Sequence, residues 1–256
     1  PKFGLQWNIT DDLLLRGAAF KVLKPALVNN RTLEPTQVAG FNQIFDDLSG
    51  TQSWRYGAGI DWRISPKLAV GAEATWRYLE EPNIELVFDE TGGQAEIPFR
   101  EDKDEQTHSL YAYWTPTQRL AVSARAVYDY FDSEQGLNTE FGPVPEELET
   151  ISLPVSVSYF ATNGLFGSIT GTYVDQDVDR APFAPFAQGD DNFFVVDMSI
   201  GYRLPKRRGI ISLTAQNLLD EEFHYQDDSF REFGEDSATP AYIVDQVFLA
   251  KITLSF

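Results

Sequence analysis

Two histidines, His108 and His224, are the chain's whole stock of imidazole, and it has no cysteine. A nucleophile activated by a histidine base would have to use one of them. His108 stands beside Ser109, just after the acidic run Glu101-Asp102-Lys103-Asp104-Glu105, and His224 lies near Asp227, Asp228 and Ser229. Neither sits in a nucleophile motif, so the residues argue against an enzyme. Without thiols, neither a disulfide framework nor a thiolate metal site can form. The metal chemistry that remains is calcium, whose oxygen ligands could come from Asp175, Asp177 and Asp179 at alternate positions. That run lacks the central glycine and closing glutamate of a helix–loop–helix calcium loop, and it reads equally well as the hydrated tip of a strand. Gly57-Ala58-Gly59 falls inside an alternating segment, where small residues allow close packing, rather than in a phosphate-cradling loop. No cofactor is implied.

The more ordered signal is charge set in the middle of apolar alternation. Arg55, Asp61, Arg63, Glu73, Arg77, Arg125, Asp129, Asp197, Arg203 and Lys251, together with Arg16, each stand on the face opposite the apolar side chains of an alternating segment. A dry core could not bury so many charges, but a watery lumen accepts them. There they would pair across neighbouring strands or guide a polar solute.

These charges need strands to position them, because successive strand side chains point to opposite faces. In the clearest segment Trp54, Tyr56, Ala58, Ile60, Trp62 and Ile64 oppose Arg55, Gly57, Gly59, Asp61 and Arg63. After Ser65-Pro66-Lys67 the next sets Leu68, Val70, Ala72, Ala74, Trp76 and Tyr78 against Ala69, Gly71, Glu73, Thr75 and Arg77. With segments at 3–9, 13–20, 108–115, 119–130, 151–161, 165–175, 193–203, 209–220 and 243–256, the expectation is about eleven strands. Short turns are expected between them at one end. Long loops at 23–53, 80–107, 131–149, 176–192 and 221–242 are expected at the other. Leu86, Val87 and Phe88, within 85–99, could add a hairpin to the second of these loops.

One greasy and one polar face per strand, short turns at one end and long loops at the other are the pattern of an all-β, antiparallel transmembrane β-barrel. The aromatic content of 14% supplies girdle residues at strand ends, such as Trp54, Trp62, Tyr78, Tyr128 and Tyr202. A soluble antiparallel sandwich also alternates, but it would have to bury the mid-strand charges and tolerate loops of unusual length. No apolar run approaches the roughly 18 residues that a membrane-spanning helix requires. A formal charge of −19 argues against nucleic acid as a partner. The expected location is the outer membrane of a Gram-negative bacterium, in contact with its lipid, with the long loops outside and the C-terminus in the periplasm. Single-chain bacterial barrels have an even strand count, so about eleven strands predicts a further strand before Pro1.

The stretch Ile211 to Phe223 contains the box Asn217-Leu218-Leu219-Asp220 with Phe223, and is followed by a loop and a last alternating strand ending at Phe256. It resembles the C-terminal end of TonB-dependent outer-membrane receptors. That resemblance implies a barrel of about 22 strands, of which this chain would be the C-terminal half, with a plug domain upstream. It also implies a terminal strand read by the barrel-assembly machinery through Phe248, Ile252, Leu254 and Phe256, and an energy-coupling protein as partner. The function it implies is uptake of a solute through a loop-gated lumen. A second run, Leu33-Glu34-Pro35-Thr36-Gln37-Val38-Ala39-Gly40-Phe41-Asn42-Gln43 with Asp46-Asp47, resembles barrels fused to tetratricopeptide repeats that lack an obvious plug. The alternative it implies is an export conduit or anchor with periplasmic and extracellular protein partners.

Overall fold

A chain whose side chains alternate over a dozen residues can satisfy its backbone groups only by pairing such segments side by side. The computed structural model describes residues 1–24, 37–42, 49–88, 94–133, 145–180, 190–223, 225 and 246–254. Its strands are β1 (Lys2–Thr10), β2 (Leu13–Leu23), β3 (Gln37–Val38), β4 (Phe41–Asn42), β5 (Gln52–Ser65), β6 (Leu68–Phe88), β7 (Gln94–Thr117), β8 (Leu120–Ser133), β9 (Pro145–Phe160), β10 (Leu165–Arg180), β11 (Asp191–Arg203), β12 (Gly209–Gln216) and β13 (Val247–Leu254). All except β3 and β4 form one eleven-stranded antiparallel sheet in chain order, with β1 and β13 at its edges. The expected all-β, antiparallel, eleven-strand arrangement is therefore present. The sheet is open among the described residues, since β1 and β13 do not pair with each other.

At one end the strands join through tight turns closed by the chain's own side-chain oxygens. Thr10 Oγ1 accepts from the Asp12 amide at 3.2 Å, Ser65 Oγ from Lys67 at 3.2 Å, Thr117 Oγ1 from Leu120 at 3.1 Å and Asn163 Oδ1 from Leu165 at 3.1 Å. Such local acceptors favour turns over continued ladder. A short 3-10 turn, Pro205–Arg207, makes the last of these connections.

The opposite end corrects the expected loop map. The span 80–107 is mostly strand, because β6 and β7 pair without interruption from Leu68↔Trp114 to Phe88↔Gln94. Its charged runs, Glu80-Glu81 and Arg100 to Glu105, break the alternation of apolar with polar, which disguised it as loop. Arg77 meets Glu105 at 3.0 Å, Arg100 meets Glu80 at 3.5 Å and Lys103 pairs with Glu81. In place of an added hairpin at 85–99, Glu85–Phe88 continue β6 and Gln94–Phe99 belong to β7, so no strands are added. The loops at 131–149 and 176–192 also shrink, since β8 runs to Ser133, β9 starts at Pro145, β10 runs to Arg180 and β11 starts at Asp191. The strand expected at 209–220 stops at Gln216.

Opposed residues of an antiparallel pair share a face, so the register carries each face across the sheet. Trp7, Leu15, Ile60, Ala72 and Leu110 form one row, whereas Gln6, Arg16, Gly59, Glu73 and Ser109 form the adjoining row on the other face. The first face is open to the surroundings, with Leu110 62%, Leu213 57% and Ile252 67% exposed. The buried apolar side chains of the sheet lie on the polar face instead. Phe131, Leu148 and Val178 cluster there towards the end bearing the long connections, and Phe20, Leu79, Val174 and Phe193 share that face. The chain thus buries its apolar side chains on the face that carries its charges.

Candidate functional site

The polar face is richest between β2 and β7, where four adjacent strands supply one network. Arg16 on β2 donates from Nε to Asp61 Oδ2 of β5 at 2.7 Å and from Nη2 to Glu73 Oε2 of β6 at 3.0 Å. Tyr111 on β7 donates its hydroxyl to the other oxygen of Asp61. Long side chains can lie across the strands here because glycines leave room. A Cβ at Gly59 would stand 3.0 Å from Arg16 Nη2, and one at Gly71 would run into the Tyr111 ring. Arg125 on β8 reaches Ser109 Oγ at 3.3 Å, and Thr107 donates to Asp129 at 2.8 Å.

Towards the long-connection end the same face holds a second set of ion pairs. Arg77 binds Glu105, while Lys103 bridges Glu81 and Glu101, the latter at 3.8 Å. Ser133 donates to Glu101 at 2.6 Å, and all of Glu81, Glu101 and Ser133 are buried. Glu81 and Tyr111 were not singled out from sequence, and Glu101, Lys103 and Glu105 were read only as an acidic run.

A small hairpin, β3–β4, leaves the sheet and lies on this face. Its two linking residues, Ala39 and Gly40, both have positive φ (50° and 95°), which fits a primed two-residue turn. Phe41 is 2% exposed, with the Arg16 guanidinium 5.1 Å from its ring centre. Its seat is Gly57, where a Cβ would come within 2.5 Å of the ring. Val38 similarly occupies the space above Gly4, 2.8 Å from where a Cβ would be, and Arg55 Nη1 donates to the Asn42 carbonyl at 3.0 Å.

From β9 to β12 the polar face changes character, being lined by hydroxyls. Thr170 donates to Ser156 at 3.0 Å, Thr214 to Ser199 at 3.5 Å and Gln176 to Thr150 at 2.8 Å.

All ten charged residues expected to share a face do so. Arg55, Asp61, Arg63, Glu73, Arg77, Arg125 and Asp129 lie in the β5–β8 sector, and Asp197, Arg203 and Lys251 in β11 and β13. Asp61, Glu73 and Arg77 belong to the two networks, whereas Arg203 at the tight-turn end lies 5.5 Å from the Phe166 ring centre.

The box residues form a knot rather than a strand end. Asn217 and Asp220 take positive φ (47° and 56°). The Asn217 amide donates to Asp197 Oδ1 at 3.0 Å, and its side chain exchanges hydrogen bonds with the Glu221 backbone at 2.9 and 3.0 Å. Across the connection, Gln246 donates through Nε2 to the Leu218 carbonyl at 2.8 Å and through its amide to Asp220 Oδ1 at 3.3 Å. Leu219 is exposed, and Phe223 stacks on Phe193 at 4.0 Å between ring centres. Phe248, Ile252 and Leu254 all point from the exposed apolar face of β13; Phe256, like His224 and residues 33–36, lies outside the described residues.

His108 is on the apolar face, edge-on to Trp76 at 5.2 Å and tilted against Tyr128 at 5.9 Å. Ser109 points to the opposite face, so the two do not form a nucleophile–base pair. Asp175, Asp177 and Asp179 follow one another along a single face of β10, about 7 Å apart. Among the described residues no three carboxylate or imidazole side chains converge on a point that could hold an ion. Asp177, beyond the apolar band, has its pKa raised, first by a hydrogen bond with Asp190 and then by desolvation and neighbouring charge.

No protein-family model matches the chain, and no curated protein matches it.

Proposed function

We propose that this chain is part of the wall of an outer-membrane β-barrel of TonB-dependent type, which admits a solute along its polar face. The observation that carries the reading is the inversion of the two faces. Large apolar side chains are exposed on ten of the eleven strands, all but β8, while the sheet's buried side chains sit among charges. An exposed apolar surface of that extent needs lipid or a partner, since soluble monomers rarely expose patches beyond a few hundred Å². Aromatic residues at both ends of the band (Trp62, Trp114, Tyr159 and Tyr202 near the tight turns; Trp54, Tyr78, Tyr128 and Tyr173 at the other) suit membrane interfaces.

A cysteine pair on one strand tests it, because residues 1–256 contribute no competing thiol, and any cysteine elsewhere in the full-length protein is replaced by serine first. In membranes containing the full-length protein, a water-soluble maleimide is expected to modify Ser212→Cys on the polar face of β12 and spare Leu213→Cys. Rapid modification of Leu213→Cys, which is 57% exposed to the surroundings, would remove the membrane reading.

A second reading, a plugless conduit or anchor for export, is favoured by the placement of Gln37–Asn42 on the polar face, where an upstream plug would otherwise lie. Upstream tetratricopeptide repeats in the full-length chain would favour it, and a plug-like domain would favour uptake.

A further inference from the structure

Phe41 is among the most buried residues of the chain, yet it belongs to a two-stranded hairpin outside the sheet. A hairpin this short has no stability of its own, so what keeps it in place is the surface beneath it. That surface is shaped for it. Gly4 and Gly57, on the polar faces of β1 and β5, lack the side chains that would fill the spaces now taken by Val38 and Phe41. Arg16 contributes from two directions, as a cation against the Phe41 ring and as a neighbour of Gly40, where a Cβ would lie 2.7 Å from Nη1. Its orientation is set by Asp61 and Glu73, so the seat and the central ion-pair network are one unit.

We infer that the polar face carries a built-in receptor site for an aromatic side chain, filled by the chain's own Phe41, and that the β3–β4 hairpin is a resident stopper that narrows the passage until it is displaced. The inference rests on the proposed membrane-barrel reading, because a stopper needs a lumen. The hairpin meets the sheet through side chains: the Phe41 ring on Gly57 and the Arg16 guanidinium, Val38 and Ala39 over Gly4, and the Arg55 side chain donating to the Asn42 carbonyl. Because the hairpin is not part of the sheet's ladder, it can leave without breaking the pairing of β1, β2 and β5. Once it leaves, the vacated seat presents a flat glycine surface beside a fixed guanidinium, which suits an aromatic group of an incoming solute or peptide.

The test uses the full-length protein. Gly4→Cys with Ala39→Cys places two Cβ atoms about 3.2 Å apart, a few tenths short of the usual disulfide separation, in the same background free of competing thiols. Oxidation is expected to give a cross-linked species that conducts in planar lipid bilayers no better than the parent protein. Phe41→Ala removes the ring, and Gly57→Val fills its seat from the sheet side; each is expected to raise conductance several-fold. Failure of the disulfide to form would overturn the docking itself and leave the maleimide result on β12 untouched. A disulfide that forms, with Phe41→Ala and Gly57→Val conducting like the parent, would overturn the stopper. Rapid labelling of Leu213→Cys with an intact disulfide would sink the membrane reading, and the stopper with it, while the hairpin's position stood.

Discussion

The polar face carries two kinds of lining. Between β2 and β7 it is built from long charged side chains that lie across several strands, with glycines beneath them; from β9 to β12 it is built from serine and threonine hydroxyls that stay close to the backbone. Both satisfy a wet surface, but they differ in bulk and in what their loss would expose. A charge held between two opposite charges cannot be removed without orphaning its partners, whereas a hydroxyl can be replaced by a methyl and leave its neighbour to water. The hairpin lies on the charged sector, where an anchored guanidinium gives a ring something to rest on.

The largest expected effect breaks the charged sector at its centre. Arg16→Met strands Asp61 and Glu73, which are 38% and 31% exposed and so partly relieved by solvent. The loss is expected to be about 2 kcal/mol by urea unfolding in lipid, with recovery when Asp61→Asn and Glu73→Gln are added. Gly71→Ala comes next. Its Cβ meets the Tyr111 ring and pushes the hydroxyl off Asp61, for an expected loss of about 1–2 kcal/mol in the same assay. In the hydroxyl sector Thr170→Val, which removes the 3.0 Å bond to Ser156, is expected to cost about 0.5–1 kcal/mol; a loss equal to that of Arg16→Met would erase the distinction between sectors.

The smallest effect lies beyond both sectors, at the Asp177–Asp190 contact. Because the folded-state pKa of Asp177 is raised, its contribution is full in acid, below the unfolded value, and is lost as pH rises through the folded value. The contact is therefore expected to loosen from acid towards neutral pH, seen as a chemical-shift change near Asp190 that Asp177→Asn abolishes.

Much of this was legible in the sequence because strand alternation is a local property. The Trp54–Ile64 and Leu68–Tyr78 segments announced both their faces, and with them the shared face of the ten charges. The outer ribbon of β6 and β7 was missed for a physical reason. Where both strands are charged, alternation in hydropathy vanishes, and directly opposed positions are even alike in sign (Glu80 and Asp102, Glu81 and Glu101), with the ion pairs running diagonally from Glu80 to Arg100 and from Glu81 to Lys103. The network around Arg16 was half visible: its members were marked as charges on the face opposite the apolar side chains, but which charge meets which depends on register between strands far apart in sequence. The seat of Phe41 was invisible for a related reason, since it consists of side chains that Gly4 and Gly57 do not have.

The knot at Asn217, Asp220 and Gln246 fixes both ends of the last connection. Two hydrogen bonds from Gln246, to Leu218 and Asp220, clasp the connection where it leaves β12 and where it returns to β13. Once the ends are clasped, lengthening the span between them costs little, about 0.6 kcal/mol for each doubling. The clasp therefore holds the register of β12 and β13 whatever length of chain is set between them, which makes the connection a port where recognition surfaces can be exchanged without renegotiating the fold.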